Sequence, residues 1–103
     1  MTTATYIKRL DGWTGDARLY RLSQPARYGW SDEDPGERDH TQYIIVSAVS
    51  GFGGPETYIF PADLEGNVVN WGEMKGSFQG ACDHALAIAN AGLLLVTNEE
   101  ARP

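Results

Sequence analysis

The most reactive side chains of this chain sit together near its C-terminal end, at Cys82, Asp83 and His84. A cysteine beside a histidine could supply a nucleophile and its base. Residues at i and i+2 of a helix do not face each other, however. The apolar periodicity also puts Cys82 on a core face, where an inert thiol is the ordinary outcome. Asp83-His84 and Asp39-His40 are neighbours in sequence only. Zinc needs more ligands than Cys82, His84 and His40 supply, so no metal site is read. Fourteen Asp and Glu residues are spread along the chain, and no spacing singles out an acid–base pair. Neither a Gly-x-Ser-x-Gly elbow nor an HExxH motif occurs. The reading leans away from an enzyme, with no catalytic residue and no cofactor.

Gly51-Phe-Gly-Gly-Pro55 could be taken for a phosphate cradle. A phosphate loop continues into Lys-Ser or Lys-Thr and opens a helix. Here Pro55 and Glu56 follow, and then a strand-forming run. Phe52 is more informative, because an aromatic on a glycine loop either folds back on the core or waits for a partner. With Trp13 and Trp30 it makes three aromatics on three loops, the candidate partner-binding residues. A second set, Tyr58, Trp71 and His84, would line a small-molecule pocket between sheet and helix.

The stretch that must position these residues is Tyr43–Asp63. Tyr43–Ser50 is dense in β-branched and aromatic residues, which suit a pleated surface. Tyr43, Ile45, Ser47 and Val49 share one side; Ile44, Val46, Ala48 and Ser50 share the other. Both sides are mostly apolar, as in a central strand covered on both faces. The returning strand splits into Tyr58 and Phe60 against Thr57, Ile59 and Pro61, with Pro61 marking an end or an edge. Before this hairpin, Thr5–Leu10 and Ala17–Leu22 form another, around the turn Asp11–Asp16. After it, Val68–Trp71 reads as a short strand hairpinned to Thr57–Phe60. Ser77 is placed to cap a helix over about 77–91, with Phe78, Ala81, Cys82, Ala85, Leu86, Ile88 and Ala89 inward and Ala87 outward. Gly92 stops the helix, Leu93–Thr97 is a last strand, and about 98–103 is a frayed tail.

The whole chain, 1–103, reads as one domain with a modest core. Its longest apolar run, Ala91–Val96, is too short to span a bilayer. One cysteine cannot form an intramolecular disulfide, and the first residues lack a basic segment followed by an apolar one. A cytoplasmic setting follows as the expectation. The net charge is −6 but uneven: residues 1–27 carry +3 and the remainder −9. That balance argues against nucleic-acid binding. The loop over about 24–41 is polar and acidic. It includes Asp32, Glu33, Asp34, Glu37 and Asp39, and it lacks the spacing of a calcium loop.

Gly54-Pro-Glu-Thr-Tyr-Ile-Phe-Pro-Ala-Asp63, Gly66-Asn-Val68, Asn70-Trp-Gly-Glu73, Gly76-Ser77 and Asp83-His84 resemble a pattern in small uncharacterised proteins of actinobacteria and their bacteriophages. The resemblance spans Tyr43–Gly92. It implies a source, an actinobacterial or phage cytoplasm, and no activity or functional residue.

These readings converge on an α+β domain. A mainly antiparallel sheet of five or six strands carries one helix on a face, with a small closed barrel as the alternative. The function read first is a small accessory or regulatory protein acting through a protein partner. A homodimer through the edge strand Leu93–Thr97 is subsidiary. A small-molecule-binding domain or small enzyme stands second, and an acidic nucleic-acid mimic third.

Overall fold

A computed structural model describes residues 2–27, 40–51, 54–69, 71 and 74–96. Trp30, Phe52, the acids of the polar loop and the expected tail lie outside these residues.

Among the described residues, six strands and one helix follow in the order β1 (Thr3–Leu10), β2 (Asp16–Arg27), β3 (His40–Gly51), β4 (Gly54–Ala62), β5 (Phe78–Gln79), α1 (His84–Asn90) and β6 (Leu94–Val96). The sheet order is β5-β4-β3-β2-β1-β6. All neighbours are antiparallel except β1 and β6, which are parallel. The fold is therefore α+β, with one mixed, mostly antiparallel sheet and a single short helix. No helix among the described residues is long and apolar enough to cross a membrane.

Strand parity, fixed by the two-residue repeat of a pleated chain, decides what each face carries. The register pairs Val46 with Ile59 on one face, and Ile45 with Phe60 and Ser47 with Tyr58 on the other. The first face packs against α1: Ala4, Tyr20, Leu22, Ile44, Val46 and Ile59 join Ala87 and Ile88 in one cluster. The second face has its own smaller cluster of Ala17, Leu19, Ile45 and Ala62, flanked by Leu10, Trp13, Tyr43 and Val68. Ile44, Ile45, Val46, Ile59 and Ile88 are fully or almost fully buried. Each such side chain stabilises the fold by about 1.5–3 kcal/mol. A bulge between Tyr6 and Lys8 switches β1 from the helix-side cluster, where Ala4 and Tyr6 pack, to the other, where Leu10 packs.

Several boundaries differ from the sequence reading. The helix does not start at Ser77. Phe78 and Gln79 pair with Thr57 and Glu56 as an edge strand, and Gly80 turns the chain at φ 111°. Ser77 instead accepts a hydrogen bond from the Ile59 amide and donates one to the Met74 carbonyl. Asp83 is the true cap: its carboxylate accepts from the Leu86 amide. The buried face is Ala87 and Ile88, whereas Cys82, Ala85, Leu86 and Ala89 are exposed. A helix that begins at His84 rather than Ser77 turns Ala87 inward instead of outward. Val68 makes only a single bridge to Ala62 and starts no strand.

Pro61 does not end β4. It pairs with Ile44 and is followed by Ala62, and its carbonyl accepts from the Val69 amide. Likewise β2 runs through Pro25 to Arg27, with a register irregularity between Arg21 and Ala26. The irregular stretch expected from residue 24 to 41 is therefore strand at both ends.

Candidate functional site

A concavity of about 660 Å³ lies on the sheet face away from α1. Three stretches build it. The sheet supplies Ser47 and Val49 from β3 and Tyr58 and Phe60 from β4, all on one face. The β1–β2 turn supplies Gly12, Trp13, Thr14 and Gly15. The segment after β4 supplies Gly66, Asn67, Val68 and Trp71.

Local structure explains how both loops reach over the sheet. A Cβ on Gly15 would lie 2.1 Å from the Ala48 carbonyl oxygen, so only glycine lets the β1–β2 turn approach β3 this closely. After β4, the Asp63 carboxylate accepts from the Glu65 and Asn67 amides, both at 2.9 Å, and from the Asn67 side-chain amide at 3.4 Å. This Asx turn folds Val68 back to Ala62 and carries the chain on to Trp71.

Four aromatic rings make a continuous wall. Ring centroids lie 5.7 Å apart for Trp13 and Trp71, 5.4 Å for Phe60 and Trp71, and 6.2 Å for both Trp13–Phe60 and Tyr58–Phe60. These separations are in the range of favourable aromatic pairs. Trp71 nevertheless remains 68% exposed, an unusual position for an indole. The Tyr58 hydroxyl donates to Glu56 Oε2 at 2.6 Å. The lining residues themselves carry no charge.

The two candidate sets divide in an instructive way. Trp13, from the partner set, joins Tyr58 and Trp71, from the pocket set, in this one groove. Trp30 and Phe52 lie outside the described residues. His84 does not join them, and the concavity is not between sheet and helix as the pocket reading had it. The sheet–helix interface is filled by Val46, Ile59, Ala87 and Ile88. Phe60 was the missed member; its parity with Tyr58 was the available signal. Asn67 and Thr14 carried none, because loop contacts are not periodic.

His84 belongs to a polar cluster on the other face. Its Nε2–H donates to the Asp16 carbonyl oxygen at 2.8 Å. Burial pushes the imidazole below its ordinary value of 6.5, against the raising effect of that bond. Asp16 is clasped by Arg18, at 2.7 Å and 3.3 Å, and lies 3.5 Å from the Arg9 guanidinium. The Arg18 bonds hold the Asp16 carboxyl below the usual carboxylate range. This cluster is a structural clasp: the ionic groups satisfy one another, and His84 ties the start of α1 to the start of β2. Cys82 is exposed rather than in the core, with its thiol 3.9 Å from the Glu56 carbonyl.

No protein-family model matches this chain, and no curated protein or solved structure matches it significantly.

Proposed function

We propose that this chain is a small non-enzymatic accessory or regulatory protein that binds another protein through the Trp13–Tyr58–Phe60–Trp71 groove. The observation that carries the reading is the exposure of Trp71 within an otherwise packed aromatic wall. Aromatic side chains offer large contact area at low entropic cost and dominate protein interfaces. Leaving an indole in water is unfavourable unless a partner covers it. The groove is also open, so a small ligand would leave the outer edge of Trp71 wet, whereas a polypeptide would close over it.

The implied setting is the cytoplasm of an actinobacterium, with the gene carried by the host or by one of its bacteriophages, and a lysate of such a host is the place to look. Tagged protein and its Trp71→Ala variant should be compared by affinity capture and mass spectrometry. A host protein recovered with the wild type and lost with the variant supports the reading. Equal recovery with both removes the groove from it.

Two further readings have specific support. The groove volume falls within the range of small-molecule sites, about 300–1,000 Å³. Separately, β6 is an outer strand of the sheet with Leu94 half exposed, which suits strand pairing between two copies. Light scattering at high concentration decides the second: a monomer mass refutes it.

A further inference from the structure

We infer, building on the groove as a protein-binding site, that its occupant is a basic peptide segment that lays an arginine or lysine side chain on the indoles. Aromatic faces are electron-rich and attract cations, Trp most strongly. Trp13 and Trp71 stand side by side at 5.7 Å with an angle of 40° between their planes, and Phe60 backs both. A guanidinium placed on this wall would meet rings from two or three residues at once.

The charged groups bonded to the groove's lining are both acidic. Two of its lining side chains are hydrogen-bonded to carboxylates: Tyr58 to Glu56, and Asn67 to Asp63. The bonds from Asn67, first among them its backbone amide, keep Asp63 ionised below the usual carboxylate range. Nothing in the lining neutralises these charges. Arg9 and Arg18 are engaged by Asp16 on the opposite face, and Lys8 and Arg21, though of groove-side parity, do not line the groove. The net charge of −6 adds long-range attraction for a basic partner. An extended strand of a few residues fits better than a lone ammonium compound. The groove runs across two strands and two loops, and the Ser47, Thr14 and Asn67 side chains in its wall can bond a peptide backbone.

The test uses the full chain and three probes: a tetra-arginine peptide, the same peptide with citrulline at every arginine, and tetra-glutamate. Citrulline keeps the shape and removes the charge. Binding is followed by NMR through the indole N–H signals of Trp13 and Trp71. The arginine peptide should move both signals and bind about tenfold more tightly than its citrulline counterpart, while tetra-glutamate should not bind. Glu56→Gln, which keeps an acceptor for Tyr58, should weaken arginine binding about threefold. Trp71→Ala should abolish the Trp13 shift at unchanged net charge.

Equal affinity for the citrulline and arginine peptides overturns the cation assignment and leaves the groove reading standing. Arginine binding undiminished in Trp71→Ala means attraction by bulk charge, and also overturns it. If neither peptide moves the indoles yet lysate capture still depends on Trp71, the basic occupant is wrong and the groove is right. If capture does not depend on Trp71 either, both fall.

Discussion

The indoles of Trp13 and Trp71 lie 5.7 Å apart between ring centroids, although one comes from the first turn of the chain and the other from the loop beyond the fourth strand. Their meeting depends on two backbone devices, the glycine at position 15 and the Asx turn at Asp63. Together they hold an aromatic wall open on the face that the helix does not cover.

Gly15→Ala should therefore do more damage than its surface position suggests. The added methyl would meet the Ala48 carbonyl at 2.1 Å, and backbone atoms cannot move aside cheaply. A loss of about 1–3 kcal/mol is expected in urea unfolding, as for overpacking elsewhere. Trp71 indole signals should shift at the same time. Unfolding midpoints equal to wild type would show that the turn is not pinned to β3.

Trp71→Ala makes the opposite prediction. Because the ring is 68% exposed, its removal should change stability by no more than about 1 kcal/mol. Thermal unfolding compared with wild type checks this. A larger loss would mean that the ring is part of the core and would weaken its assignment to binding.

Besides His84, a hydroxyl from β4 ties the start of α1 to the sheet. Thr57 Oγ1 donates to the Ala81 carbonyl at 2.8 Å and accepts from the Asp83 amide at 3.0 Å. Thr57→Val keeps the shape and leaves both groups unpaired, which should destabilise the fold by about 1–3 kcal/mol. Asp83→Ala removes the helix cap and should cost about 1 kcal/mol. Both are measured by denaturant unfolding, and additive losses would show that the two bonds act independently.

The central strands were legible because alternation is a two-residue signal. The faces of Tyr43–Ser50 and of Thr57–Phe60 follow from that alternation and match the register of the two strands. The helix was misplaced because Ser77 and Asp83 are both good caps, and an isolated sequence does not show that Phe78 and Gln79 pair with β4. His84 was grouped with Tyr58 because both were expected at the sheet–helix interface. The alternation that placed Tyr58 beside Phe60 puts it on the face away from the helix, and His84 turns to Asp16 instead. The groove itself was beyond the sequence, since it arises where two unrelated loops meet over one sheet face.

Stability should fall with acidification in two steps. The folded state protonates His84 less readily than the unfolded chain does, because burial disfavours the imidazolium. Its contribution is full above about pH 6.5 and is lost as the pH falls below that value. Asp16, held low foremost by its bond to Arg18, contributes fully above about pH 3.8 and loses its contribution below it. Unfolding midpoints at pH 7.5, 5.5 and 3.5 test this. In His84→Gln the loss between 7.5 and 5.5 should shrink, and an unchanged loss would place the titrating group elsewhere.

The most direct test of the central claim is the capture of a host protein by wild type and by Trp71→Ala, each first shown to be folded by circular dichroism. The account predicts one specific partner that is retained by the wild type and lost by the variant, eluted by salt, and basic in the segment that cross-links to the groove. Recovery of the same partner by both proteins would contradict it, and would show that the aromatic wall faces solvent for some other reason.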